Sequence, residues 1–113
     1  MSRPSASAAA AARARPVFSA LGDETRLALV ARLSAGGPQS IAQLTTRAGV
    51  TRQAITKHLA VLAGAKVVHD IRRGRERIWE LDPQPLQDAS RALDQISRRW
   101  DEALGRLRAL VEE

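Results

Sequence analysis

The sequence predicts a mainly α-helical domain that carries one small β-hairpin and ends in a single long helix. Three observations predict it. The stretch Ile41 to Lys57 holds two short helix signals on either side of Gly49. After Gly64 the apolar residues change from a helical period to a period of two. After Pro83 they return at alternating gaps of three and four as far as Leu110.

At 113 residues the chain makes one small domain with one extension. Its aromatic residues are Phe18, Trp79 and Trp100, so Leu, Ile, Val and Ala must fill the core. Residues 1–15, rich in Ala, Ser and Arg, superficially resemble a targeting segment. Arg13 and Arg15 interrupt the alanine run, and alanine alone makes a poor signal core. This segment is expected to be a flexible or weakly helical tail. Residues 16–82 then form the first functional unit and 83–113 the second.

Pro16 suits the first turn of a helix that carries Val17, Phe18, Ala20 and Leu21, ended by Gly22. Asp23 suits the cap of a second helix, with Asp23 and Glu24 near its positive end. Leu27, Val30 and Leu33 give that helix an apolar face, and Gly36, Gly37 and Pro38 stop it. Ser40 caps a third helix and Thr51 a fourth, with Gly49 in the left-handed conformation between them. Leu44, Val50 and Ile55 are expected to clamp the third and fourth helices together. This is a helix-turn-helix, which holds its second helix where it can enter a DNA major groove.

At 100° per residue, Ile55, His58, Leu59 and Leu62 fall on one arc of the fourth helix (51–63), which faces the core. Arg52, Gln53, Thr56, Lys57 and Ala60 fall on a separate arc. Long donors beside one small residue suit close approach to base edges and phosphates. A protein-binding face calls instead for apolar anchors. Val67 to Arg72 and Glu76 to Leu81 read as two strands, with Arg73, Gly74 and Arg75 as the tip. Arginines stand at 72, 73, 75 and 77. Beside a helix-turn-helix such a ribbon (71–78) is a wing that reaches the minor groove or the backbone. The alternative is a solvated hairpin whose charges only block edge-to-edge pairing.

Pro83 opens the last helix. Leu86, Ala89, Leu93, Ile96, Trp100, Ala103, Leu107 and Leu110 form a heptad stripe, widened by Leu104 and Val111. One helix of this length cannot bury the stripe alone. A second copy of the same helix is the expected partner, and packing on its own domain is the alternative.

The formal charge is +6. Residues 1–81 carry 13 Lys and Arg against 5 Asp and Glu, and residues 82–113 carry 5 against 7. The cationic excess therefore sits with the helix-turn-helix and points to double-stranded DNA, although a merely basic surface has the same balance. The absence of cysteine excludes disulfides, thiolate metal sites and cysteine nucleophiles. No serine, histidine and acid arrangement or glycine-rich phosphate loop suggests an enzyme. No membrane span, metal or cofactor is expected. His58 and His69 are read as structural, with a phosphate contact open to His58.

From Phe18 to Pro83 the chain resembles the ArsR family of bacterial winged-helix repressors. The matching segments are Phe18-Ser-Ala-Leu-Gly-Asp-Glu-Thr-Arg26, Val50-Thr-Arg-Gln-Ala-Ile-Thr-Lys-His-Leu59 and Gly74-Arg-Glu-Arg-Ile-Trp-Glu-Leu81, in the family's order and spacing. The resemblance implies a cytoplasmic homodimer, nucleoid-associated when bound, that blocks transcription at an inverted-repeat operator until a signal arrives. The DNA-binding residues are then Thr51, Arg52, Gln53, Thr56, Lys57, His58, Arg72, Arg73, Arg75 and Arg77. The dimer-interface residues, on the first and last helices, are Phe18, Leu86, Leu93, Ile96, Trp100, Leu104 and Leu107. Ser40 and Ala42 stand where metal-sensing members carry a cysteine pair, and the last helix holds no histidine. Thr45 stands at a usual alanine, and Lys66 where a glycine commonly precedes the first wing strand. The sequence names no effector and does not separate repressor from activator. The competing function is a winged-helix protein-interaction or assembly module.

Overall fold

The structure, a computed structural model, describes residues 6–112. The first five positions of the 1–15 segment and Glu113 lie outside the described residues. In chain order the elements are α1 (Ala6–Leu21), α2 (Glu24–Gly36), β1 (Gln39–Ser40), α3 (Ile41–Thr45), α4 (Arg52–Gly64), β2 (Val68–Arg73), β3 (Glu76–Leu81) and α5 (Pro83–Glu112). This is the mainly helical winged helix-turn-helix architecture with a long C-terminal helix. None of the described helices is long and apolar enough to cross a membrane.

The first helix begins at Ala6 rather than at Pro16, which lies inside it. Pro16 cannot donate to the Ala12 carbonyl, a defect of about 3 kcal/mol in an isolated helix. Alanine has the highest helix propensity, and the helix is held by tertiary packing. Ala14, Val17 and Ala20 are buried, and Ala10, Phe18 and Leu21 pack against the same core. Ala10, Ala14, Val17 and Leu21 repeat at gaps of four, three and four, a stripe hidden in the sequence by the small size of alanine.

Asp23 caps α2, its carboxylate accepting from the Arg26 backbone N–H at 3.0 Å. The buried residues of α2 are Leu29, Val30 and Leu33. Leu27, assigned above to this face, is instead 53% exposed. Gly37, at φ 72°, ends the helix, its N–H bonded to the Leu33 carbonyl.

Ser40 and Gln43 form a reciprocal capping box at the start of α3. This helix is a little over one turn, and its carbonyl end is satisfied from outside. The Arg32 guanidinium on α2 donates to the Leu44 and Gln43 carbonyls. The turn that follows has two left-handed residues, Arg47 at φ 66° and Gly49 at φ 70°. Gly49 has the expected conformation, but α3 has already ended at Thr45. Leu44 and Ile55 are fully buried between the helices, whereas Val50 is 36% exposed and does not join them.

The end of α4 is a Schellman motif. Val67 N–H bonds to the Leu62 carbonyl at 3.0 Å and Lys66 N–H to the Ala63 carbonyl at 2.9 Å. Leu62 and Val67, the apolar pair of this motif, are both fully buried. The left-handed residue is Lys66, at φ 63°. Glycine at this position escapes the Cβ clash, and here a lysine bears it.

The hairpin joins a three-stranded antiparallel sheet in the order β1-β3-β2. Gln39 pairs with Trp79 and Ser40 with Ile78, a contact too short for sequence periodicity to register. Arg73 belongs to β2 opposite Glu76, so the tip is Gly74 and Arg75 alone. Gly74, at φ 63°, takes the first central position of this two-residue turn. Val68 and Trp79 are buried, and Leu81 packs against them.

At 30 residues, about 45 Å long, α5 is the longest element. Only its first turns are covered. Ala89 and Ala92 are buried and Leu86 packs on the core, facing α1. From Leu93 onward every described residue of α5 is exposed, including Trp100 at 64%.

Candidate nucleic-acid interface

The platform under α4 is apolar. Ile55, Leu59 and Leu62, at gaps of four and three, are fully buried and fix which side faces out. Arg52, Gln53, Thr56, Lys57 and Ala60 are all exposed, so the structure brings the expected arc together on the open face. Thr51 is the cap, its hydroxyl accepting from the Ala54 N–H at 3.1 Å. The Thr56 hydroxyl donates back to the Arg52 carbonyl at 3.0 Å. Thr56 stays exposed, and its methyl suits apolar contact with a thymine methyl.

The first turn of α4 holds no acid and opens on Arg52. A cation at the positive end of a helix costs helix stability, and α2, with Glu24 there, does the opposite. The same arrangement attracts phosphate, because N-terminal N–H groups and the helix dipole both favour an anion.

His58 lies at the edge of the buried arc and is half-buried. Its Nδ1 is 3.4 Å from Arg26 Nη1 and 3.8 Å from Asp23 Oδ2. Arg26 Nε also donates to the Ala20 carbonyl at 2.6 Å. Nδ1 of His58 is thus turned to the α1–α2 junction, which accounts for the residue structurally. The Arg26 backbone N–H, and then the Arg26 guanidinium, hold the Asp23 carboxyl below its ordinary 3.8. The roles of Arg26 and Arg32 escape sequence reading because their partners lie across the fold.

The four wing arginines are not equivalent. Arg77 bonds to Asp70 across the hairpin at 2.7 Å and lies over the Trp79 ring at 4.7 Å from its centroid. That hydrogen bond is the main cause holding the Asp70 carboxyl below its ordinary 3.8. Arg72, Arg73 and Arg75 are exposed and form no ion pair among the described residues. His69 is taken by Glu80 on the opposite strand at 3.0 Å. Arg47, exposed in the turn just before α4, is a further cation that the sequence reading did not assign to the interface. Among the described residues no three His, Asp or Glu side chains gather to hold a metal ion.

An exposed cationic helix beside a cationic β-ribbon is the arrangement of a winged helix-turn-helix DNA-binding protein. Known proteins agree with this class. A helix-turn-helix domain family matches residues 21–71. The HTH-type transcriptional regulator Rv2034 of Mycobacterium tuberculosis is 38% identical over 95 residues, covering 84% of this chain and 85% of that protein. An ArsR-like transcriptional regulator from Rhodococcus sp. RHA1 is 35% identical, with a TM-score of 0.76 over 88% of this chain and 92% of that one. The chain belongs to the ArsR family of winged helix-turn-helix transcriptional regulators. The homodimeric winged helix-turn-helix DNA-binding domain Mb0332 of Mycobacterium bovis, at 20% identity, shares the fold with a TM-score of 0.61 over 90% of this chain and 91% of that one.

Proposed function

We propose that the protein is a cytoplasmic homodimeric repressor that binds an inverted-repeat operator through α4 and the wing. The observation that carries this reading is the polar arc of α4, Arg52, Gln53, Thr56 and Lys57, exposed beside the unpaired arginines 72, 73 and 75. Arg52, Gln53 and Thr56, early on the arc, are assigned to base edges. Lys57, Arg73 and Arg75 are assigned to phosphates or the minor groove. Arg77, held by Asp70 and Trp79, shapes the wing. The dimer reading is supported by Leu93, Ile96, Trp100, Leu104 and Leu107, all exposed on one stripe of α5, and by the homodimeric state of the M. bovis domain. Phe18 and Leu86, partly buried in their own core, are assigned to the edge of that surface.

A two-fold dimer recognises half-sites one helical turn, ~34 Å, apart or a multiple of that. Titrating operator and scrambled duplexes at several salt concentrations tests the assignment. Gln53→Ala is expected to cost roughly 1–3 kcal/mol and relax preference at one position of each half-site. Arg75→Ala is expected to weaken all sequences alike and reduce the log–log salt slope by about 0.9 for each phosphate it ceases to neutralise. If neither substitution changes binding to a duplex the wild type prefers, the protein-interaction reading replaces this one.

A further inference from the structure

Between α1, the C-terminal end of α4 and the first turns of α5 lies an open cleft of about 550 Å³. That is within the range of small-molecule sites. Its walls are largely alanine and proline side chains with Val17, and its charged groups are Arg13, Lys66, Arg91 and Asp88. Asp88 is already satisfied, accepting from Arg91 Nη2 at 2.9 Å and Gln84 Nε2 at 3.0 Å. Arg13 and Lys66 form no ion pair or side-chain hydrogen bond among the described residues. The cleft therefore pairs an apolar floor with two uncompensated cations. Low-dielectric walls strengthen their field on an anion. Lys66 also keeps its side chain at a left-handed backbone position, the kind of local strain that collects at ligand sites.

The cleft is not the seam proposed for the dimer. At 100° per residue, Asp88, Arg91 and Gln95 lie roughly 140° around α5 from Leu93, Ile96 and Trp100. A partner docked on that stripe leaves this flank open.

We propose that the cleft binds an amphipathic organic anion, with the carboxylate between Arg13 and Lys66 and the hydrocarbon body on the apolar floor. A ligand there touches Gly64, Ala65 and Lys66, at the end of the helix assigned to DNA reading. Binding itself does not rest on that assignment and is measured on DNA-free protein.

Calorimetric titration of the full chain with decanoate, decanol and decylamine tests it. Decanoate is expected to bind saturably, and decanol and decylamine at least about tenfold more weakly, the scale of one charge-assisted contact. Lys66→Gly and Arg13→Gln are each expected to weaken decanoate by about tenfold or more. Arg15→Gln, on α1 but outside the cleft, leaves it unchanged. Lys66→Gly keeps the Schellman backbone, so lost binding is not lost folding, and thermal unfolding of each variant verifies this. The proposal is overturned if decanoate shows no saturable binding at millimolar concentration. It is also overturned if decanol binds as tightly as decanoate, or if both cleft variants bind decanoate like wild type, the result expected of hydrocarbon adhering to the α5 stripe.

Discussion

Lys66→Gly is expected to stabilise the fold. Lys66 sits at φ 63° as the left-handed residue of the Schellman motif after α4. Its Cβ costs about 1–2 kcal/mol there. Its side chain is exposed and makes no hydrogen bond among the described residues, so truncation breaks no bond of the fold. Glycine gives back about 0.4–1 kcal/mol through the greater freedom of the unfolded chain. The net gain is about 0.5–1 kcal/mol, a rise in melting temperature of about 2–6 °C for a chain of this size. Thermal unfolding at one fixed protein concentration measures it, because a dimer's melting point moves with concentration. Lys66→Ala is the control: it removes the charge but keeps the Cβ, and it should stay within about 0.5 kcal/mol of wild type. If alanine stabilises as much as glycine, relief of cationic repulsion is responsible and the strain argument fails. A destabilised glycine variant refutes it outright.

Other perturbations reach different parts of the fold. Arg32→Ala removes the donors to the Leu44 and Gln43 carbonyls. It should cost about 1–3 kcal/mol in urea unfolding, and a loss under ~0.5 kcal/mol means water replaces the guanidinium. The Asp23 and Asp70 carboxyls are held below their ordinary 3.8, so their stabilisation is complete above that value and is lost as pH falls through the lower folded-state values. The urea midpoint should therefore drop on acidification, and Asp23→Asn with Asp70→Asn should flatten that drop. An equally steep drop in the double variant assigns it to other carboxylates. Trp100→Asp places a carboxylate on the α5 stripe and should weaken dimerisation about a hundredfold or more in sedimentation. A wild type that sediments as a monomer at micromolar concentration removes the dimer reading.

Much of this fold was legible because its signals are local. The caps at Asp23, Ser40 and Thr51 each need only a side chain and an N–H three residues on. The buried face of α4 follows from the spacing of Ile55, Leu59 and Leu62. The illegible parts are those in which tertiary contacts override local preference. Pro16 marks a helix start by its own chemistry, yet α1 runs through it because Ala10, Ala14 and Val17 pack on the core. Leu27 and Leu29 are equally apolar, and only the packing of α2 decides that Leu29 is the buried one. The arc of α4 was readable as an exposed face. The tying of Arg77 to Asp70 and Trp79 was not, because it depends on strand register. Lys66 shows the opposite case: the resemblance marked its position as one for glycine, and its φ supplies the physical reason.

The segment from Asp23 to Arg26 has a consequence beyond its own helix. Asp23 fixes the start of α2, Arg26 holds the last-turn carbonyl of Ala20 on α1, and both approach His58 on α4. At its other face α1 packs on the covered turns of α5, with Ala14 and Val17 buried in the same core as Ala89 and Ala92. Contacts therefore run from α5 through α1 to α4. In the proposed dimer, the distance between the two recognition helices depends on how two α5 helices meet, and α1 links that seam to α4. The cleft between α1, α4 and α5 lies within the same three elements. A ligand in it contacts all three elements.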